Sequence, residues 1–151
     1  MNRRDFTRTL ALGAGASSLP FTQSFARALP REEKLGVALV GLGGYSSGQL
    51  GPALQETENC YLAGVVTGTP EKEKIWADKY GIPEKNIYNY ETYDQIADNE
   101  DIDIIYGVFP NSMHAEYTIR AAEAGKHVIC EKTMAMNAEE CRQRIDACEQ
   151  A

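Results

Sequence analysis

A glycine-rich segment, Gly41-Leu42-Gly43-Gly44-Tyr45-Ser46, directly follows the apolar run Leu35–Val40. A continuous apolar run of this length predicts a strand that is buried on both faces. The residues after the glycines, 49–58, predict a helix whose first turn is weakened by Gly51-Pro52. In this order Gly41 can form a tight turn, and Gly43 leaves room for backbone to approach a phosphate at the start of the helix. A Gly-x-Gly pair alone fits a plain strand-to-helix turn equally well.

Predicted strands and helices alternate along the rest of the chain. Strands are predicted at 61–67, 87–88, 102–109 and 127–130, and helices at 70–80, 91–99, 111–124 and 137–150. Thr69 and Asn137 are suitable N-caps, Asn111-Ser112 can cap the helix after the third long strand, and Gly81 stops a helix. Because helices separate the strands, the sequence predicts an α/β fold: a doubly wound parallel sheet of the Rossmann type.

Composition and charge restrict the partners. A chain of 151 residues suits one domain, and a net charge of −7 argues against nucleic acid or an anionic membrane as the main partner. The four cysteines show neither Cys-x-x-Cys nor Cys/His spacing, so we predict no metal site and interpret all four as structural. They are Cys60, Cys130, Cys141 and Cys148.

The N-terminus has the features of an export signal. Arg3-Arg4 with Phe6 precedes a weakly apolar stretch over 9–21 that is too short to span a bilayer, and small residues at 24–28 suit a signal peptidase. This order predicts a twin-arginine-type signal peptide over 1–28, export to the periplasm or beyond the cytoplasm, and a folded domain over 33–151. The alternative is a basic tail in which the arginine pair has no role.

The end of the second long strand indicates which nicotinamide cofactor would fit. An NAD site normally has Asp or Glu about twenty residues after the glycines, where it accepts from the ribose 2′-hydroxyl. Here Thr67-Gly68-Thr69 occupies that place and Lys72 follows. A hydroxyl and an ammonium group favour a 2′-phosphate, so we predict NADP, with NAD still possible. The alternative is that Lys72 belongs to the solvated charge run 71–74.

Five short motifs occur in an order that is typical of one protein family. They are Val40-Gly41-Leu42-Gly43, Lys79-Tyr80-Gly81-Ile82, Pro110-Asn111-Ser112-Met113-His114, Ala124-Gly125-Lys126-His127-Val128 and Glu131-Lys132. With these motifs, residues 36–135 resemble the N-terminal domain of the Gfo/Idh/MocA oxidoreductases, and within that family the glucose-fructose oxidoreductase group most closely.

The resemblance implies a role for individual positions. It puts the glycine turn against the dinucleotide phosphates through Gly41, Leu42, Gly43, Gly44 and Tyr45. It puts Thr67, Gly68 and Lys72 at the 2′-phosphate, with Tyr90 near the adenosine phosphate end. It puts Pro110, Asn111 and His114 on the nicotinamide side, although a histidine in the first turn of a helix is often only a polar surface or capping residue.

The pair Glu131-Lys132 follows the last predicted strand, and without the resemblance it would be read as a surface pair. In the family this lysine lies beside the nicotinamide and orients a sugar hydroxyl, which makes Lys132 the catalytic candidate. The family has proline at the next position, whereas this chain has Thr133.

The resemblance therefore implies the cofactor-binding portion of an exported NADP-dependent oxidoreductase that acts on a sugar or polyol by hydride transfer. It also implies a second α/β domain with the substrate pocket, which these 151 residues do not include, and a homo-oligomer at full length. We accordingly expect a truncated Rossmann domain. The alternatives are a non-catalytic exported nucleotide-binding module or inactive fragment, or a Rossmann relative that binds another nucleotide such as S-adenosylmethionine.

Overall fold

Five parallel strands form one sheet in the part of the chain that the computed structural model describes, residues 34–151. The predicted export signal lies outside the described residues. The strands are β1 (Leu35–Val40), β2 (Cys60–Val66), β3 (Ile87–Tyr88), β4 (Ile104–Gly107) and β5 (His127–Cys130). Their spatial order is β3-β2-β1-β4-β5, so the chain winds outward from β1 in one direction and then in the other. This order confirms the predicted doubly wound parallel sheet.

Four α-helices connect or follow these strands. They are α1 (Gly51–Glu56), α2 (Pro70–Tyr80), α3 (His114–Glu123) and α4 (Ala138–Gln150). A π-helical turn, Ser46–Leu50, leads into α1, and 3₁₀ turns lie at Glu84–Asn86, Tyr93–Asp98 and Asn111–Met113. None of the helices in residues 34–151 has both the length and the apolar character needed to cross a bilayer.

The first helical segment begins earlier than the sequence predicts. Its π-helical turn starts at Ser46, where the prediction begins at residue 49, and the Gly51 N–H bonds to the Ser46 carbonyl five residues back. Pro52 has no N–H to donate, and the wide turn lies immediately before it. The helical path thus continues through Gly51-Pro52 by widening locally.

Other predicted boundaries shift for local reasons. Strand β4 covers Ile104–Gly107 and not 102–109, because only Val37 to Val40 of β1 pair with it. The predicted helix over 91–99 is the shorter 3₁₀ turn Tyr93–Asp98. The predicted strands at 87–88 and 127–130 and the helix at 70–80 are confirmed.

Of three predicted helix ends, two are as predicted and one is not. The Asn137 side chain accepts from the Glu140 N–H at 2.9 Å, so it caps α4 as predicted. Gly81 has a φ of +67° and ends α2 as predicted. Thr69 occupies the N-cap position of α2, but its side chain makes no capping bond there. In the turn before α2, the Thr69 N–H donates to the Thr67 hydroxyl at 3.2 Å.

The core lies on both faces of the sheet. Val37 and Leu39 pack on one face with Trp76 of α2. Ala38 and Val40 pack on the other face, in a cluster that includes Tyr117 of α3. Since successive residues of a strand point to opposite faces, β1 has to be apolar throughout, which explains the continuous run in the sequence.

Candidate cofactor-binding site

The predicted site residues come together because the loops leave the sheet at one edge. Just beyond the strands, backbone bonds still join neighbouring chains: Gly41 N–H to Val66 O (3.0 Å), Thr67 N–H to Tyr88 O (3.0 Å), Val108 N–H to Val40 O (2.8 Å) and Glu131 N–H to Gly107 O (3.0 Å). These bonds fix the starting points of the loops after β1, β2, β4 and β5. The carboxyl edge at the point where strand order reverses is where doubly wound sheets bind ligands.

The glycine turn has one glycine required by the fold and two that face open space. Gly41 has a φ of +89°, and a methyl group there would lie 2.1 Å from the Val108 carbonyl oxygen. A methyl group at Gly43 or Gly44 would meet no atom of the described chain within 4 Å. The space above Gly43 and Gly44 is therefore available to a ligand that approaches the backbone.

The third position of the glycine motif, which is usually Gly or Ala, is Ser46 in this chain, and the structure shows how a serine fits there. Its side chain is completely buried, and its hydroxyl donates to the Gly41 carbonyl at 2.5 Å. The hydroxyl thus finds a partner within the turn, so burying it leaves no unpaired polar group.

Lys72 lies at the glycine turn, where the sequence predicted that a cofactor phosphate would be bound. Its Nζ donates to the Leu42 carbonyl oxygen at 2.8 Å, although the two residues are 30 positions apart. The Leu42 side chain is 3% exposed, so Leu42 presents only backbone to this edge. A half-buried ammonium group over the turn differs from the solvated charge run that was the alternative.

The end of β2 brings Thr67, Gly68 and Tyr90 together. Thr67 is 3% exposed, and its hydroxyl oxygen accepts from the Thr69 N–H at 3.2 Å. A methyl group at Gly68 would lie 3.2 Å from the Tyr90 ring. Burial raises the pKa of Tyr90. Thr67-Gly68-Thr69 offers hydroxyl and amide groups and no carboxylate.

Tyr106 joins the glycine turn to the Glu131-Lys132 pair, and the sequence analysis missed it. Its hydroxyl donates to Glu131 Oε1 at 2.8 Å. Burial and then this hydrogen bond raise the pKa of Tyr106 well above its usual range, and the Tyr45 hydroxyl adds a smaller contribution. Tyr106 lies in the middle of an apolar run, so its sequence context predicts only a core residue.

The structure places His114 beneath the edge and Lys132 on it. His114 is completely buried: its Nε2 lies 2.8 Å from the Phe109 carbonyl oxygen, and its Nδ1 contacts the Thr133 carbonyl oxygen. Its side chain therefore does not line the open surface. Pro110, Asn111 and Lys132 are exposed at that surface, and the Lys132–Thr133 peptide bond is cis.

The arrangement suits a phosphate-containing dinucleotide. Helical N–H groups follow an open glycine turn, an ammonium group lies over that turn, and a second lysine follows β5. Within residues 34–151, no group of three or more His, Cys, Asp or Glu side chains is placed to hold a metal ion.

Comparison with known proteins identifies the family. Residues 35–151 match the Gfo/Idh/MocA oxidoreductase family, described as having an NAD-binding Rossmann fold. The chain belongs to this family, and its described part is an NAD(P)-binding domain. This confirms the resemblance that the five sequence motifs indicated.

Three relatives show how much of the family protein the chain represents. It is 50% identical, with a TM-score of 0.76, to the crystal structure of aldose-aldose oxidoreductase from Caulobacter crescentus complexed with glycerol, over 78% of this chain and 35% of that one. It is 30% identical over 113 residues to D-xylose 1-dehydrogenase (NADP(+)) 2 of Haloferax volcanii, covering 75% of this chain and 33% of the relative. It is 31% identical over 108 residues to the uncharacterized oxidoreductase ORF334 of Rhizobium meliloti, covering 72% and 31%. The chain spans about a third of the length of these relatives.

Proposed function

We propose that the chain is the cofactor-binding portion of an exported, NADP-dependent oxidoreductase that transfers hydride to or from a sugar or polyol. The observation that carries the NADP assignment is the Lys72 ammonium group over the glycine turn, 2.8 Å from the Leu42 carbonyl. It lies near a β2 end that bears two hydroxyl residues and no carboxylate.

The preference for NADP follows from charge. A 2′-phosphate brings negative charge to the end of β2, where a carboxylate would repel it and an ammonium group attracts it. Lys72 is a cation that is held at this edge by its bond to the Leu42 carbonyl oxygen. Its bond to a neutral carbonyl leaves two further N–H groups on Nζ for phosphate oxygens.

The proposed substrate class is supported by the names of two relatives. One is called an aldose-aldose oxidoreductase, and the other a D-xylose 1-dehydrogenase that uses NADP. Nicotinamide, when bound, would supply or accept the hydride. Lys132, exposed after β5, would donate a hydrogen bond to a substrate hydroxyl, while Pro110 and Asn111 border the same surface.

The NADP assignment is tested by titrating NADPH and NADH into the chain and into Lys72→Ala. We expect NADPH affinity to fall about tenfold or more, since a charge-assisted bond is lost, with a much smaller change for NADH. Lys74→Ala is the matched control, because Lys74 is an exposed lysine on the same helix. Equal losses for both cofactors, or the same loss in the control, would contradict the assignment.

Export is a separate part of the proposal, and it concerns residues outside the described part of the chain. It is supported by the order of arginine pair, apolar stretch and small residues in 1–28. In cells with the twin-arginine pathway, Arg3→Lys combined with Arg4→Lys should leave the protein in the cytoplasm, while Arg8→Lys should not. Unchanged fractionation of the double variant would overturn the proposal.

A further inference from the structure

Tyr106 links two of the loops that border the proposed cofactor site. Its hydroxyl donates to Glu131 Oε1 at 2.8 Å, and the Tyr45 hydroxyl of the glycine turn interacts with the same group. Tyr45 is 47% exposed, whereas Tyr106 and Glu131 are half-buried. A single side chain of β4 therefore contacts both the loop after β1 and the loop after β5.

The core holds the Tyr106 ring, so its hydroxyl has a fixed place. The ring packs against the cluster that contains Val37 and Leu39 of β1. In the sheet, Tyr106 pairs with Leu39 on one side and with Ile129 on the other. Because the backbone and the ring are both constrained, the hydroxyl is able to fix the orientation of a partner.

Glu131 is attached through both its backbone and its side chain. Its N–H donates to the Gly107 carbonyl oxygen at 3.0 Å, and its carboxylate accepts from Tyr106. A carboxylate has about four lone-pair sites on its two oxygens, so one hydrogen bond leaves acceptor capacity for a ligand. The bond to Tyr106 thus restricts the orientation of the carboxylate and still leaves it able to bind.

The charge of Glu131 indicates which part of a dinucleotide can lie beside it. A carboxylate repels a pyrophosphate but accepts hydrogen bonds from neutral hydroxyl groups. In the proposed arrangement the pyrophosphate lies at the glycine turn and the nicotinamide lies beside Lys132, so the ribose that joins them lies between the two. Glu131 directly precedes Lys132 and is tied through Tyr106 to the turn. The hydroxyl groups of the nicotinamide ribose are therefore the donors that suit this carboxylate.

We propose that Tyr106 is a positioning residue: through its bond to Glu131 it orients this carboxylate to accept from a hydroxyl of the nicotinamide ribose. This role depends on the proposed cofactor-binding function. A bond that only joined β4 to the loop after β5 would affect all ligands alike, because it would act through the stability of the sheet. A positioning role affects only the ligands that contain this ribose.

The test compares NADPH with adenosine 2′,5′-bisphosphate, a fragment that keeps the 2′-phosphate end and lacks the nicotinamide and its ribose. Tyr106→Phe keeps the ring and removes the donor. We expect NADPH affinity to fall about fivefold, with a change of less than about twofold for the fragment. Equal losses for the two ligands, or an unchanged NADPH affinity, would overturn the proposal.

Tyr88→Phe is the matched control for the loss of a tyrosine hydroxyl. The Tyr88 hydroxyl accepts from the Asn99 side chain at 2.7 Å, and neither side chain belongs to the proposed cofactor site. This variant should leave both affinities unchanged. The same selective loss of NADPH affinity in Tyr88→Phe would contradict a specific role for Tyr106.

A double-mutant cycle shows whether Tyr106 acts through Glu131. In a Glu131→Ala background, Tyr106→Phe should cost no further NADPH affinity, because the carboxylate to be oriented is absent. A further loss of about fivefold would contradict the proposal. Glu131→Ala alone should show the selective loss, and its absence would overturn the proposal even if Tyr106→Phe did not fold. An unchanged chain that binds neither ligand would overturn the proposed function together with this role, whereas binding of both without a selective loss overturns this role alone.

Discussion

Arg144 carries a buried guanidinium group of which two nitrogens, Nε and Nη1, have no hydrogen-bond partner in the described part of the chain. The residue is 7% exposed, and its Nε and Nη1 atoms are buried without a hydrogen bond. It lies on α4, where Asn137 caps the first turn and Arg142 pairs with Glu139 on the exposed side. Removing a guanidinium group from water without pairing it costs on the order of several kcal/mol.

We therefore expect Arg144→Met to stabilise the chain, because methionine keeps an unbranched apolar side chain and removes the unpaired charge. The free energy of unfolding in urea should rise by about 1–3 kcal/mol. Arg142→Met, at an exposed position whose ion pair is worth little, should change it by less than about 0.5 kcal/mol. A lower stability for Arg144→Met would show that the guanidinium has a partner in solution.

The sequence predicts the place of a residue best where that place depends on chain position. Lys72 follows β2 at the distance typical of a 2′-phosphate contact, and in the structure its Nζ lies 2.8 Å from the Leu42 carbonyl oxygen; its role at a phosphate stays a prediction. Tyr106 and His114 depend on contacts across 25 and 19 residues, respectively. Such partners are set by how β4 and β5 pair and by the loop after β5, which a single sequence does not reveal.

At the scale of elements, different glycines of the glycine turn serve the fold and the binding of a ligand. Gly41 is required by its positive φ and by the Val108 backbone, whereas Gly43 is surrounded by open space. A side chain at Gly41 would disturb the sheet edge. A side chain at Gly43 would disturb only a ligand.

Gly43→Ala should accordingly leave the fold intact and weaken cofactor binding. We expect the free energy of unfolding to change by less than about 1 kcal/mol, because the added methyl group meets no protein atom. NADPH affinity, measured by fluorescence titration, should fall, because the methyl group occupies the space for the pyrophosphate. Gly48→Ala is the control: it also adds a methyl group in open space, but Gly48 lies within the π-helical turn Ser46–Leu50 and not in the glycine turn. Undiminished affinity in Gly43→Ala would place the cofactor elsewhere.

The type of an element was predictable from the sequence where the spacing of its apolar residues and the residues at its ends indicate the same structure. Strand β5 and helix α2 have the predicted bounds, since Pro70 and Gly81 mark the two ends of that helix. The segment before Pro52 was not predictable, because a proline inside a helical pattern normally indicates an end or a kink. In the structure the chain stays helical up to Pro52 by forming the wider π-helical turn Ser46–Leu50.

At the scale of the whole molecule, a buried tyrosine connects the 3₁₀ turn Tyr93–Asp98 to helix α3. Tyr93 is 1% exposed, and its hydroxyl donates to the Tyr117 carbonyl at 2.9 Å. Burial raises the pKa of Tyr93 well above its usual value of 10.0. Because the folded-state pKa is raised, this contribution to stability is complete below pH 10 and is lost as the pH rises toward the folded-state pKa.

We expect the free energy of unfolding to decline above pH 10, with Tyr93 contributing at most about 1.4 kcal/mol per pH unit. Tyr93→Phe should reduce this slope and should cost about 1 kcal/mol at neutral pH, where the hydrogen bond is lost. Denaturant titrations between pH 7 and 11 measure both effects, and an unaltered slope in Tyr93→Phe would exclude Tyr93 as the cause.

The sheet class followed from the sequence, but its register did not. Alternation of strands and helices predicts parallel pairing, and the apolar β1 predicts a central strand. The slip in pairing between Val37 and Ala38 against β2 has no signal in the residues. Gly64 pairs with Ala38 just past this slip, and a methyl group on Gly64 would lie 2.7 Å from the Asn86 carbonyl oxygen.

The backbone bonds that continue past the strand ends have a consequence for the thermodynamics of ligand association. Gly41, Val108 and Glu131 already donate their N–H groups to neighbouring strands, so the roots of the three loops are ordered during folding. The conformational entropy of these segments is thus lost before any dinucleotide arrives. A dinucleotide then binds to loops whose ends are already ordered. Binding therefore costs little further conformational entropy at these loop ends, which favours a higher affinity.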